Sequence, residues 1–154
     1  MLYLDHAATT PMRPEAWAAM ERVRDAYGNP SGVHEVSRTA KNELEAARES
    51  AAGLLGAARP SEIVFTAGGS EADNLAVIGT ALAGGRPAHV VISAVEHKAV
   101  LESARFVERM GGRVSIVPVD SSGVVDPAQV GATVEDDTAL VSIMLANNET
   151  GALQ

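Results

Sequence analysis

The stretch Thr66-Ala67-Gly68-Gly69-Ser70-Glu71 follows the apolar run Ile63–Phe65 and precedes a predicted helix from Glu71 to about Ala83. A strand, a glycine turn and a helix start in this order can hold a phosphate, because small residues let backbone N–H groups approach an anion. Ser70 and Asp73 have the spacing of a capping box. Neither Gly-Lys-Ser/Thr nor Gly-x-Gly-x-x-Gly occurs here, which argues against a nucleotide site. An ordinary strand–turn–helix junction is the alternative interpretation.

Apolar runs alternate with helical patterns along the chain. Short Val/Ile-rich runs predict strands that are covered on both faces, whereas proline near a first turn and glycine after a last turn indicate helix ends. The predicted strands are Ile63–Thr66, His89–Ala94, Arg113–Val119 and Ala139–Ala146. The predicted helices are Pro14 to about Ala26, Ser37–Leu55, Glu71–Ala83, Lys98 to about Met110 and Pro127–Val134. This alternation predicts an α/β fold with a mostly parallel sheet and flanking helices.

The composition argues against several classes of protein. A net charge of −8 does not fit nucleic-acid binding, which needs a basic patch. No apolar run approaches the ~20 residues of a membrane span, and the N-terminus lacks the basic start of a signal peptide, so we expect a cytoplasmic location. The chain has no cysteine, which excludes disulfides, thiolate metal sites and a cysteine nucleophile within it. His6, His34 and His89 show no metal-ligand spacing, and we expect no metal site.

Three loops follow predicted strands and carry polar side chains. In parallel sheets, ligands bind beyond the carboxyl ends of the strands. This rule points to the glycine loop Ala67–Ser70, to Val95–His97 and to Asn147–Thr150. The imidazole of His97 could stack on a planar ring or transfer protons near neutral pH, and the two amides of Asn147 and Asn148 could bind ligand oxygens. The alternatives are a solvated histidine at a helix start and a turn favoured by Asn and Gly.

Five segments of the chain together resemble a known family. They are Leu4–Pro11 (LDHAATTP), Gly28–Ser31 (GNPS), Glu62–Asn74 (EIVFTAGGSEADN), Glu96–Val100 (EHKAV) and Val141–Gly151 (VSIMLANNETG). In this order they are similar to the N-terminal part of a cysteine desulfurase of the NifS/IscS type. The resemblance covers essentially the whole chain, from Tyr3 to Gln154.

The resemblance implies a pyridoxal-phosphate enzyme of the class V aminotransferase group, with the large domain of fold type I. Such enzymes convert L-cysteine to L-alanine and pass the sulfur, through a persulfide on their own cysteine, to an acceptor protein for iron–sulfur cluster assembly or tRNA thiolation. By the resemblance, Gly69 and Ser70 bind the cofactor phosphate. His97 stacks on the cofactor ring and is the candidate proton carrier, and Asn148 lies near the cofactor and the substrate carboxylate. Gln154 also matches a family glutamine, to which we assign no role.

The family's other catalytic residues lie downstream of the region that this chain matches. They are the lysine that bonds to the cofactor, an aspartate facing the ring nitrogen, an arginine for the substrate carboxylate and the persulfide cysteine. Lys41 and Lys98, the two lysines present, match neither that lysine nor its surrounding segment. We therefore expect an N-terminal fragment that is inactive alone, with residues 1–13 as an arm and residues 14–154 as the front of the large domain. The full-length form is expected to be a homodimer.

The resemblance also leads to an expectation about strand pairing. We expect the predicted strands Ile63–Thr66 and Ala139–Ala146 to pair with later strands, so that only the second and third predicted strands are neighbours and two edges stay unpaired. Two alternatives for the function remain open at this point. One is a related class V enzyme such as a selenocysteine lyase, and the other is a non-catalytic binding or assembly module that keeps this part of the fold.

Overall fold

A computed structural model describes residues 2–154, which form two compact units that divide after Phe65. The first unit contains helices α1 (Pro14–Arg22) and α2 (Glu35–Leu55) and a short 3-10 helix, Pro60–Glu62. The second contains α3 (Gly69–Leu82), β1 (His89–Ser93), α4 (Lys98–Arg109), β2 (Arg113–Val117), α5 (Pro127–Thr133) and β3 (Thr138–Ser142). The predicted arm at residues 1–13 stays a prediction.

The two helices of the first unit follow the sequence pattern, with different ends. Helix α2 begins two residues before the predicted Ser37 and ends at Leu55 as predicted. Gly56 follows as the C-cap, and its left-handed φ of 70° closes the last turn. Helix α1 ends at Arg22, before the predicted Ala26. Its last amides bond three residues back, Val23 to Met20 and Arg24 to Glu21, which tightens the chain into turns.

The predicted strand Ile63–Thr66 is wrong. The segment is extended at Ile63, but no strand pairs with it among residues 2–154. It is held from one side by Arg48, whose guanidinium donates to the carbonyl of Ile63 and lies 5.1 Å from the ring centre of Phe65. Val64 and Phe65 keep 61% and 49% of their surface exposed. An apolar pattern without a hydrogen-bonding partner therefore gives an extended segment and no strand.

The second unit is built on a parallel three-stranded sheet with the order β2-β1-β3, which confirms the predicted fold class. The expected pairing of the last strand is wrong, because β3 pairs with β1 directly: Val90 lies opposite Leu140 and Val91 opposite Val141. Strand β1 is therefore central and fully buried along its length. That burial explains its unbroken apolar run, since both faces are covered.

Each strand ends earlier than predicted, and for β2 and β3 the reason is visible at the carboxyl end. Strand β2 stops at Val117, because Pro118 has no N–H to donate to a ladder. Strand β3 stops at Ser142, because the amide of Met144 donates to the side chain of Glu96 and leaves the ladder. The chain thus turns out of the sheet at one common edge.

Both faces of β1 are packed by apolar side chains. On one face, helices α3 and α4 contribute Val77, Ala81, Val100, Ala104 and Val107 to a core with Val90 and Ile92. On the other face, Val91 packs with Val117 and Val125. Within the part of the chain described, no helix is long and apolar enough to cross a bilayer. The same residues contain no cluster of histidine and acidic side chains that could hold a metal ion.

Candidate functional site

The glycine loop starts helix α3 two residues earlier than predicted. Gly68 is the N-cap, Gly69 and Ser70 lie inside the first turn, and no side chain caps the helix. The predicted capping box of Ser70 and Asp73 is therefore wrong. Instead the carboxylate of Glu71 reaches back and accepts the amide of Ala67 at 2.6 Å. Glu71 satisfies the donor just before the helix, which is the task of the acidic residue in a capping box.

Several donors of this loop have no protein partner. The first intrahelical bond runs from the amide of Ala72 to the carbonyl of Gly68 at 3.1 Å. The amides of Gly69, Ser70 and Glu71 and the hydroxyl of Ser70 make no hydrogen bond to other atoms of residues 2–154. A β-carbon added at Gly68 or Gly69 would meet nothing within 4 Å, so the space beside these amides is open. The loop therefore offers a row of free donors at a helix N-terminus.

The loop after β1 presents His97. This residue is exposed and is the N-cap of helix α4, where its Nδ1 accepts the amide of Ala99 at 3.1 Å. Because Nδ1 is the acceptor, the proton of the neutral ring lies on Nε2. Nε2 makes no hydrogen bond within the described chain. The ring therefore has one tautomer, and its Nε2–H group is free to donate to a ligand. Lys98 next to it is exposed, as predicted for a surface charge.

Glu96 joins the loop after β1 to the loop after β3. Its side chain is buried, with 7% of the residue surface exposed. Oε1 accepts the hydroxyl of Ser93 at 2.7 Å and the amide of Met144 at 2.7 Å, while Oε2 lies 3.4 Å from the hydroxyl of Ser142. A buried carboxylate needs such donors to offset its lost hydration. Glu96 is thus a cross-link between two strand ends.

The loop after β3 contains two adjacent asparagines that lie in different surroundings. Asn147 is half-buried; its Oδ1 accepts the amides of Glu149 and Thr150 at 3.0 and 2.9 Å and the Thr150 hydroxyl at 3.1 Å. Its Nδ2 donates to the carbonyl of Val95 at 3.2 Å, which is a second link between the two loops. Asn148 is exposed, and its amide makes no hydrogen bond within residues 2–154. Asn147 therefore holds the loop, whereas Asn148 is free to bind.

The topology brings the glycine loop to the same edge of the sheet. The amide of Ala88, just before β1, donates to the carbonyl of Ala81 near the end of α3 at 3.0 Å. Helix α3 then runs back along the sheet, rising about 18 Å from Ala81 to Gly69. From Ala88 to Ala94 the chain extends about 20 Å along the sheet in that same direction. The helix start therefore lies level with the carboxyl ends of β1 and β3, where His97 and Asn148 are.

The loop after β2 is at this edge too, but its polar groups are engaged with each other. The amides of Val124 and Ser122 donate to Asp120 and hold the pKa of that carboxyl below its ordinary value. Gln154 accepts the amide of Val125 at 2.7 Å and donates to the carbonyl of Gly123 at 2.8 Å. The loop after β2 is therefore a turn held by its own hydrogen bonds.

The other three histidines are divided between the two units. His89 is buried at the start of β1 as predicted, between the hydroxyls of Thr138 and Ser115 at 2.8 and 2.9 Å. His6 and His34 belong to the first unit, where His34 is the exposed N-cap of α2.

Sequence reasoning missed the residues that organise the site, above all Glu96 and Asn147. Glu96 stands beside two exposed residues, His97 and Lys98, and nothing local distinguishes its burial. The one available signal was its position directly after a fully apolar strand, where an acidic side chain can turn inward onto a neighbouring strand end. Asn147 and Asn148 are the same residue type, so their different roles appear only with the fold.

Comparisons with known proteins give a consistent set of similarities. A model of the family described as aminotransferase class-V matches residues 2–154. The cysteine desulfurase IscS of Dictyoglomus turgidum is 43% identical over 155 residues, covering 99% of this chain and 39% of that protein. An IscS-like cysteine desulfurase of Mycobacterium tuberculosis is 47% identical over 160 residues, covering 99% of this chain and 40% of that protein. The chain thus spans about two fifths of the length of these curated relatives.

Solved structures agree with the sequence comparisons. A structure described as a NifS-like protein superposes with a TM-score of 0.87 at 39% identity, covering 97% of this chain and 42% of that one. A structure described as SspA in complex with cysteine gives a TM-score of 0.87 at 38% identity, covering 99% of this chain and 44% of that one. The similarity therefore extends over nearly all of this chain and under half of each neighbour.

Proposed function

The chain belongs to the aminotransferase class-V family, and from this premise we propose that it is part of a pyridoxal-phosphate-dependent cysteine desulfurase. The observation that carries the proposal is the edge of the sheet where three loops meet. Each loop presents polar groups without a protein partner: the amides and hydroxyl at Ser70, Nε2 of His97 and the amide of Asn148. Two similar proteins are named as cysteine desulfurases, and these names support a cysteine desulfurase rather than a selenocysteine lyase.

The donor set of the glycine loop fits a phosphate group. Gly69 and Ser70 contribute adjacent amides, and the Ser70 hydroxyl adds a donor that can rotate toward the anion. The dipole of α3 favours negative charge at this end. We propose that this loop binds the cofactor phosphate and so fixes the position of the cofactor. Bound there, pyridoxal phosphate supplies an electron sink, chemistry that no side chain of this chain provides.

His97 and Asn148 have complementary tasks in this proposal. The Nδ1 atom of His97 is occupied by the amide of Ala99, so proton transfer by this ring takes place at Nε2. The ring orientation is fixed by the same hydrogen bond, which suits a flat face laid against the cofactor ring. The free amide of Asn148 can donate to an oxygen of the cofactor or of the substrate carboxylate.

The complete reaction needs groups that these 154 residues do not provide. No cysteine is available to carry a persulfide, and Lys41 and Lys98 are both exposed on helices. We propose that an amine for the cofactor and a thiol for the sulfur come from residues beyond this sequence. L-cysteine as substrate, a scaffold or tRNA-thiolation protein as sulfur acceptor, a homodimeric full-length form and a cytoplasmic location belong to the same proposal.

Calorimetric titration with a cofactor analogue tests the phosphate site. Pyridoxine 5′-phosphate has no aldehyde, so it cannot react with the two lysines, and pyridoxine differs from it only in lacking the phosphate. We expect the phosphate ester to bind more tightly than pyridoxine. Ser70→Ala should weaken its binding by roughly tenfold or more, the scale of a hydrogen bond to a charged group.

Ser121→Ala is the matched control, because Ser121 is an exposed serine of the same unit in the turn after β2. This variant should bind pyridoxine 5′-phosphate like the unchanged protein. Equal affinities for the ester and for pyridoxine, or equal losses in the two serine variants, would contradict the proposed phosphate site.

A further inference from the structure

We propose that Glu96 is a positioning residue that holds His97 and Asn148 in one shared geometry. The inference rests on the proposed function for the ligand of these two side chains. Glu96 itself is buried and does not reach the open side of the edge. Its influence passes through the two loops that its carboxylate joins.

The carboxylate is tied to both strand ends at once. Ser93, the last residue of β1, and the amide of Met144, two residues past β3, both donate to Oε1 at 2.7 Å. Two bonds on a single oxygen from two different strands fix the spacing of the loops that follow. A shorter or apolar side chain at residue 96 cannot make both bonds.

The two side chains of the proposed site each stand next to one of these ties. His97 follows Glu96 directly, and its ring orientation depends on the first turn of α4 through the amide of Ala99. Asn148 follows Asn147, whose Nδ2 holds the carbonyl of Val95 on the other loop. A movement of Glu96 therefore shifts the base of both loops together.

The role requires the shape of the side chain and its acceptor oxygen, and it does not require the negative charge. Glu96→Gln keeps the length and keeps an oxygen for Ser93 and Met144, while its new NH2 group can donate to the hydroxyl of Ser142. Glu96→Asp keeps the charge but shortens the reach by about 1.5 Å, the length of one C–C bond. A positioning role predicts that the glutamine variant behaves like the unchanged protein and that the aspartate variant does not.

NMR spectroscopy of the full 154-residue chain gives two separate readouts. Without ligand, the ring nitrogen shifts of His97 report its tautomer, and hydrogen exchange at the amides of Glu149 and Thr150 reports the order of the second loop. When pyridoxine 5′-phosphate is added, the chemical-shift changes of the His97 ring and the Asn148 side-chain amide are compared with the shift change of the Ser70 amide.

In Glu96→Asp, we expect His97 to lose its fixed Nε2–H tautomer. We also expect hydrogen exchange at the amides of Glu149 and Thr150 to become roughly tenfold faster, because the loop loses a buried hydrogen bond. With ligand, Ser70 should still respond in this variant, while the responses of His97 and Asn148 should shrink together. Glu96→Gln should restore all of these signals. Ser93→Ala removes one donor and is the milder variant, with smaller changes in the same direction.

Thr138→Val is the control for general loss of stability. Thr138 bonds His89 and the amide of Glu135 at the opposite end of the same sheet, both at 2.8 Å. The proposal is overturned if Glu96→Asp leaves the His97 tautomer and the two exchange rates unchanged, or if Thr138→Val reproduces its effects. A ligand-free result as expected, together with no response to pyridoxine 5′-phosphate in the unchanged protein, would reject the proposed function and keep the positioning role.

Discussion

Replacing Asn147 by alanine should destabilise the protein, whereas the same change at Asn148 should not. Asn147→Ala removes the bonds from Oδ1 to the amides of Glu149 and Thr150 and the bond from Nδ2 to the carbonyl of Val95. Water can replace Oδ1 at the two exposed amides, so their loss costs about 0.5 kcal/mol each, and the half-buried Val95 contact costs about 1 kcal/mol. The expected loss in free energy of unfolding is therefore about 2 kcal/mol. Asn148→Ala should change it by less than about 0.5 kcal/mol.

Urea unfolding followed by circular dichroism measures this difference, as a lower midpoint at unchanged m-value. Asn147→Asp separates the two contributions, since it keeps the oxygen for Glu149 and Thr150 and loses the donor to Val95. About half of the alanine effect is expected for this variant. The reasoning would be refuted if Asn148→Ala destabilised the protein as much as Asn147→Ala, because the two asparagines would then share the structural role.

Three further predictions concern single substitutions in the second unit. Hydrogen bonds and charge from Arg113 hold the pKa of Glu135 below its ordinary value of 4.5, so this pair stabilises the fold above that pH and loses its effect as the pH falls through the lowered pKa. The difference in melting temperature between the unchanged protein and Glu135→Gln should therefore be present at neutral pH and disappear in acid. Gly112→Ala should cost about 1–3 kcal/mol by overpacking, because its Cβ would lie 2.5 Å from Val107 Cγ1, and urea unfolding measures the loss. Gly131→Ala, inside α5 with open space around it, should instead stabilise by about 0.5–1 kcal/mol.

Local patterns were sufficient where local physics decides the structure. The unbroken apolar run at Val90–Ile92 predicts a strand buried on both faces, and β1 is that strand. Gly56 ends helix α2 as predicted, because a left-handed residue closes a helix most easily when it is glycine.

Non-local pairing could not be predicted in the same way. Ile63–Thr66 has the composition of a strand, yet a strand also needs a partner from elsewhere in the chain. The neighbour of β3 was wrongly expected for the same reason, since strand order depends on crossovers and not on the run itself.

In the candidate site too, local features could be predicted from the sequence and contacts between loops could not. The sequence identified the three loops, because glycine turns and polar side chains after apolar runs are local signals. It did not identify Glu96 as a buried cross-link, and it could not tell the structural Asn147 from the free Asn148. Both distinctions arise from contacts between the loops after β1 and β3, which are separated by more than 40 residues in the sequence.

The most direct test of the central claim is a map of amide and side-chain NMR shifts while pyridoxine 5′-phosphate is added to the full chain. The proposed cofactor edge predicts changes at the amides of Gly69 and Ser70, at the ring of His97 and at the side-chain amide of Asn148, all with one dissociation constant. Pyridoxine without the phosphate should leave the Gly69 and Ser70 amides unchanged. Shifts confined to other residues, or separate dissociation constants for the glycine loop and for His97, would contradict a single site formed by the three loops.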